Sequence, residues 1–177
     1  ICGLKTEATV AAAIGAGADY IGLVLFAKSP RNLAIADAAR LGRTARASAD
    51  GLRVKIVTLL VDPDDALLDH VTAEIAPDIL QLHGHESIAR TAAIRQRTKT
   101  LVMKAISVAA AADVTAGLAY ATVADMLLFD AKPPKDAVLP GGNGLAFDWR
   151  LLTGLKGHTD YMLAGGLTPD NVAAAIR

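Results

Sequence analysis

Residues 55–83 read KIVTLLVDPDDALLDHVTAEIAPDILQLH, and they carry the clearest fold signal in the chain. Lys55-Ile56-Val57-Thr58-Leu59-Leu60-Val61 is a short, nearly continuous apolar run with several β-branched members. That is how a strand covered on both faces reads. Asp62-Pro63 stops it, and from Asp64 to Ile75 the apolar positions fall at Leu67, Leu68, Val71 and Ile75, the spacing of one helix face. Ile79-Leu80-Gln81-Leu82-His83 then returns to strand. Strand, helix and strand with no hairpin signal between them make a parallel pair joined by a crossover.

The same unit repeats in both directions. Toward the start lie a strand at Tyr20 to Leu25, a polar loop from Phe26 to Leu33, and a helix from Ile35 to Ala47. Ile1-Cys2 reads as the end of a first strand, followed by a helix from Glu7 to Gly15 with Thr6 as its cap. Toward the end come a helix at Glu86 to Arg97, a strand at Leu101 to Ala105 and an Ala-rich helix from Val108 to Leu118. A strand at Met126 to Asp130, a short helix near Trp149 to Leu152 and a strand at Tyr161 to Ala164 follow. The last helix is expected over Asp170 to Arg177, with Thr168 as cap and Pro169 in its first turn.

Seven such units fit either an open doubly wound sheet or a (β/α)8 barrel. Polar residues and glycines gather after every strand, where a barrel assembles its active site, and this favours the barrel. The expectation is one α/β domain over residues 1–177. It is a (β/α)8 TIM barrel whose first strand is truncated at Ile1 and whose eighth βα unit is absent.

Composition narrows the function. A chain that is 53% hydrophobic with zero net charge is globular, and it lacks the basic footprint of a nucleic-acid or anionic-membrane partner. No apolar run approaches the ~20 residues of a membrane span. The single cysteine allows no intramolecular disulfide, so a reducing, cytoplasmic setting is expected. One cysteine and four scattered histidines make a metal site unexpected.

The strand exits supply the candidate chemistry. Cys2 stands at the first exit, near the start of a helix, where a lowered thiol pKa is expected. Asp130 follows Met126-Leu127-Leu128-Phe129, so its carboxyl sits at an apolar strand's end, suited to a proton donor. A turn-capping role is the alternative, but Lys132-Pro133-Pro134 follows it instead of a helix. Gly165-Gly166 is either a tight turn or a cradle that turns backbone N–H groups to a phosphate, and its place after the seventh strand favours the cradle. Arg31, behind Ser29-Pro30, either grips a carboxylate or phosphate or is a solvated loop residue. Gln81 and His83 point to one side of their strand. Gly141-Gly142-Asn143-Gly144 either covers the site or is a flexible loop. Lys104, Asp62, Lys5 and Lys132 complete the rim.

Six segments in register carry a resemblance. They are Ile1-Cys2-Gly3-Leu4-Lys5, Ser29-Pro30-Arg31, Gln81-Leu82-His83-Gly84, Leu128-Phe129-Asp130, Gly141-Gly142-Asn143-Gly144 with Phe147-Asp148-Trp149, and Leu163-Ala164-Gly165-Gly166-Leu167. Together they resemble phosphoribosylanthranilate isomerase of tryptophan biosynthesis, departing where the family usually has Thr in place of Asn143. The resemblance implies an Amadori rearrangement of a phosphorylated small molecule, with Asp130 as general acid and Cys2 as general base. It further implies that Arg31 holds a substrate carboxylate, that Gly165 and Gly166 bind phosphate, and that no cofactor or metal takes part. His83 is expected to join them in binding substrate, and a monomer or homodimer is expected. Three readings compete: a metal-dependent sugar-phosphate epimerase, an indole-glycerol-phosphate synthase using Lys104, and a non-catalytic barrel scaffold.

Overall fold

The computed structural model describes residues 1–48, 53–134, 136–137, 139–155 and 159–176. Six strands alternate with helices: α1 (Glu7–Gly15), β1 (Tyr20–Leu25), α2 (Ile35–Ala47), β2 (Lys55–Leu60), α3 (Asp65–Glu74), β3 (Ile79–Leu82), α4 (Ile88–Thr98), β4 (Leu101–Val108), α5 (Ala111–Leu118), β5 (Met126–Ala131), β6 (Tyr161–Leu163) and α6 (Val172–Ile176). Side chains mark several helix starts. Thr6 and Thr9 form a reciprocal capping box, Asp64 Oδ1 accepts from Leu67 N at 2.8 Å, and Ser87 Oγ accepts from Arg90 N at 3.1 Å.

All strand pairs are parallel, and the spatial order β1-β2-β3-β4-β5-β6 is the chain order. A doubly wound sheet reverses its order at a switch point, and this sheet has no reversal. The result is an α/β half-barrel wall of six parallel strands.

Residue parity separates the two faces of that wall. Ile56, Leu60, Leu80, Leu82 and Val102 join residues of α1 to α4, among them Val10, Leu41, Leu68 and Ile94, in the main core. Each fully buried side chain of this size stabilises by about 1.5–3 kcal/mol. The opposite face carries Val57, Ile79, Met103, Ala105 and Leu128, a cluster built from strand residues alone. At the strand ends this face leads up to the candidate site. Ile106, Leu127 and Phe129 pack with Leu152 and Leu155 in a third cluster, where Phe129 and Tyr161 meet edge to face.

Three expectations are corrected. The first strand is reduced to one parallel bridge, Cys2 to Gly22, so the sheet has six strands and not seven. The segment near Trp149 is a 3-10 helix over Trp149–Leu155. The final helix begins at Val172 and not Asp170, after a turn in which Thr168 O accepts from Asn171 N and Asn171 Oδ1 accepts from Thr168 N at 2.7 Å. Arg177 lies outside the described residues.

Candidate active site

Cys2 is fixed by backbone hydrogen bonds on either side of it. Gly22 N donates to Ile1 O at 2.8 Å, and Gly3 N donates to Gly22 O at 2.8 Å. A glycine inside a strand weakens it unless something must come close. Here a Cβ at Gly22 would lie 2.7 Å from Cys2 Sγ, so glycine is what lets the thiol segment dock. Cys2 is exposed as a residue, yet enough protein surrounds the sulfur for burial to push its pKa up. The Arg31 charge pulls the other way and does not prevail. The expected lowered thiol is therefore overturned, since loss of hydration outweighs the favourable charge.

Asp130 stands in β5, almost fully buried, in register with Ser107 of β4. Its Oδ1 accepts from Ala131 N at 2.9 Å, and its Oδ2 faces His83 Nε2 at 3.5 Å. His83 follows β3 directly, held by its own N–H donating to Leu60 O at 2.9 Å, and Gln81 Nε2 lies 3.0 Å from its Nδ1. Arg31 is set by a turn in which Ser29 Oγ accepts its N–H at 3.1 Å.

Cys2, Arg31, His83 and Asp130 all line one cavity of about 320 Å³, together with Gly165 and Gly166. Gly141-Gly142 crosses above them. A Cβ on Gly141 would lie 2.5 Å from Asp130 Oδ2, and one on Gly142 would strike the Arg31 guanidinium. Of the two readings left open for this loop, the covering one stands. Gly165 and Gly166 take φ of +88° and +63°, a region that disfavours side chains.

The other rim candidates are engaged elsewhere. Lys5 Nζ donates to Pro30 O at 3.0 Å, Lys132 lies 3.5 Å from Asp113, and Asp62 receives the His85 N–H at 2.6 Å. Lys104 shares the parity of Val102 and Ile106, so it faces away from the cavity. Its Nζ donates to Gly84 O and Glu86 Oε2, both at 2.9 Å. That removes the lysine on which the synthase reading rested. Glu86 was not legible as a site-building residue, because a glutamate just before a helix reads as an ordinary first-turn charge. Among the described residues, no cluster of three or more His, Cys, Asp or Glu is arranged to hold a metal ion, and no helix is long and apolar enough to cross a membrane.

A family profile described as N-(5'phosphoribosyl)anthranilate (PRA) isomerase matches residues 1–177. The chain belongs to this isomerase family. An N-(5'-phosphoribosyl)anthranilate isomerase of Paracoccus denitrificans is 55% identical over 177 residues, which cover all of this chain and 80% of that protein. One from Paramagnetospirillum magneticum is 54% identical with the same coverage. Among solved structures, phosphoribosyl anthranilate isomerase from Thermotoga maritima superposes with a TM-score of 0.84 at 29% identity, covering 99% of this chain and 80% of that one. A phosphoribosyl anthranilate isomerase in complex with reduced 1-(o-carboxyphenylamino)-1-deoxyribulose 5-phosphate superposes at 0.80 with 28% identity, covering 99% and 78%. Residues from each of the six in-register segments line the one cavity, although Phe147-Asp148-Trp149 lies outside it.

Proposed function

We propose that the chain is an N-(5'-phosphoribosyl)anthranilate isomerase of tryptophan biosynthesis, converting its substrate to 1-(2-carboxyphenylamino)-1-deoxyribulose 5-phosphate. One observation carries the reading: Cys2 and Asp130, the only thiol of the chain and a buried carboxyl, line the same cavity as Arg31. The reaction needs only proton transfers, and a thiol and a carboxyl supply a base and an acid.

Asp130 protonates the ribose ring oxygen, and the ring opens to an iminium ion. Cys2, as thiolate, removes the C2 proton, and the iminium becomes an enolamine that tautomerises to the ketone. The raised thiol pKa makes Cys2 a strong base once ionised, and Arg31 favours that ionisation. Arg31 also has the fork geometry to hold the anthranilate carboxylate. The backbone N–H groups of Gly165 and Gly166 bind the phosphate, and His83 contributes the wall between β3 and β5.

The strand order, six parallel strands in chain order without a reversal, supports a (β/α)8 barrel. A cytoplasmic monomer or homodimer fits the chemistry, and a Thermotoga maritima relative is described as dimeric and has also been solved as monomers. The test is the fluorescence decay of phosphoribosylanthranilate made in situ, with the product identified by the ketone carbon in its NMR spectrum, since substrate and product are isomers of one mass. The expected result is enzyme-dependent loss of fluorescence with formation of the carboxyphenylamino-deoxyribulose phosphate. No decay above the uncatalysed rate overturns the reading.

A further inference from the structure

The acid and base leave one buried polar arrangement at the site without a role. Gln81, His83 and Asp130 form a line of side chains running from β3 to β5. A carboxamide nitrogen can only donate, so the Gln81 Nε2 contact at 3.0 Å makes His83 Nδ1 an acceptor. On this assignment the ring proton sits on Nε2. That nitrogen is buried without a hydrogen-bond partner and aims at Asp130 Oδ2 from 3.5 Å. The separation exceeds a good hydrogen bond by about half an ångström. Gly141 lies against both His83 Nε2 and Asp130 Oδ2, closing the pair off from above.

A buried N–H left without an acceptor is costly in the resting protein. It becomes useful when its neighbour acquires charge. As a proton donor Asp130 starts neutral and ends as a carboxylate, and an N–H bonds an anion more strongly than a neutral carboxyl. Closing the gap is therefore rewarded as the proton leaves, which places the gain in the transition state and not in substrate binding.

We propose that His83 is a positioning residue for Asp130, with its tautomer set by Gln81. It presents Nε2–H to Oδ2 and takes up the negative charge that appears there when Asp130 gives its proton to the ribose ring oxygen. No proton passes to His83. Oδ1 is served in the same way by Ala131 N–H. Among the described residues, the other charged or titratable groups facing the cavity are Cys2 and Arg31. This inference rests on the isomerase reading above and gives a residue assigned to substrate a second duty.

The test pairs kinetics with histidine side-chain nitrogen NMR on the whole chain. Wild-type His83 should show the Nε2–H tautomer. His83→Gln carries an amide nitrogen to about the place of Nε2, whereas His83→Asn reaches only the place of Nδ1. His83→Asn is expected to lose about 10- to 100-fold in kcat, the worth of one hydrogen bond to a charged group, with KM within about twofold. His83→Gln should recover most of that loss. An Nδ1–H tautomer in the wild type, equal losses in the two variants, or a loss confined to KM overturns the proposal. If His83→Asn fails to fold, the wild-type tautomer and His83→Gln still decide. An inactive wild type would instead sink the isomerase reading, and the tautomer would still be read.

Discussion

Lys104 and Glu86 form a salt bridge of 2.9 Å between side chains that are almost completely buried. Lys104 Nζ also donates to Leu82 O and Gly84 O, and Glu86 accepts from the backbone N–H groups of Asp62 and Gly84. Tyr120 adds its ring beneath the ammonium, and its hydroxyl donates to Glu86 O. The network sits behind the sheet and holds the turn after β3, from which His83 enters the cavity.

Lys104→Met leaves the Glu86 carboxylate buried without its cation, and breaking a buried pair this way costs about 3–5 kcal/mol. For a chain of this size that is a fall in Tm of roughly 10 °C, read by calorimetry. Lys104→Met combined with Glu86→Leu removes both charges and should lose less than Lys104→Met alone. The turn after β3 should then loosen, and kcat should drop even where the protein stays folded.

The Cys2 thiol is pushed above its ordinary pKa by burial, against the pull of the Arg31 charge. Alkylation by iodoacetamide, followed against pH, should therefore have its midpoint above that of an unperturbed thiol. Arg31→Met removes a charge that favours the thiolate and should move the midpoint higher. The sign also fixes a stability effect. A group whose folded pKa is raised keeps its proton longer when folded, so its contribution is present below the unfolded thiol value and is lost as pH rises through the raised folded value.

Gly141→Ala adds a Cβ that would lie 2.5 Å from Asp130 Oδ2 and closer still to His83 Nε2. The covering loop or the carboxyl must shift. A displacement of about 1 Å at a reacting group can cost roughly 100-fold in rate, and a loss of that order in kcat with little change in Tm is expected.

Arg31→Lys keeps the charge and loses the fork. If Arg31 holds the anthranilate carboxylate through two parallel bonds, KM should rise roughly tenfold or more while kcat falls less. Steady-state kinetics reads the split.

Much of the fold was legible because the chain states its periods openly. Glu7–Gly15, Tyr20–Leu25 and Ile35–Ala47 lie where the apolar spacing puts them. The boundary between β4 and α5 was misread because alanine favours a helix without marking where it starts. The strand runs on through Ile106-Ser107-Val108, and the helix begins at Ala111 where Asp113 Oδ2 accepts from Ala109 N and Ala110 N. At the site, Cys2, Arg31, His83 and Asp130 were identifiable as strand-exit residues, and they do share a cavity. The direction of the Cys2 pKa was not legible, because burial of the sulfur depends on Gly22 and neighbours distant in sequence. The Gln81–His83 contact was half legible, since parity put both residues on one side but could not orient the imidazole.

The acid–base assignment of Cys2 and Asp130 is tested most directly by single-turnover kinetics on Cys2→Ala and Asp130→Asn, each first shown to fold and to bind a reduced product analogue. General acid–base groups contribute about 100- to 10,000-fold, so each variant should lose at least about 100-fold in the chemical step while analogue affinity stays within a few-fold of wild type. Turnover within a few-fold of wild type in either variant would contradict the assignment of that residue.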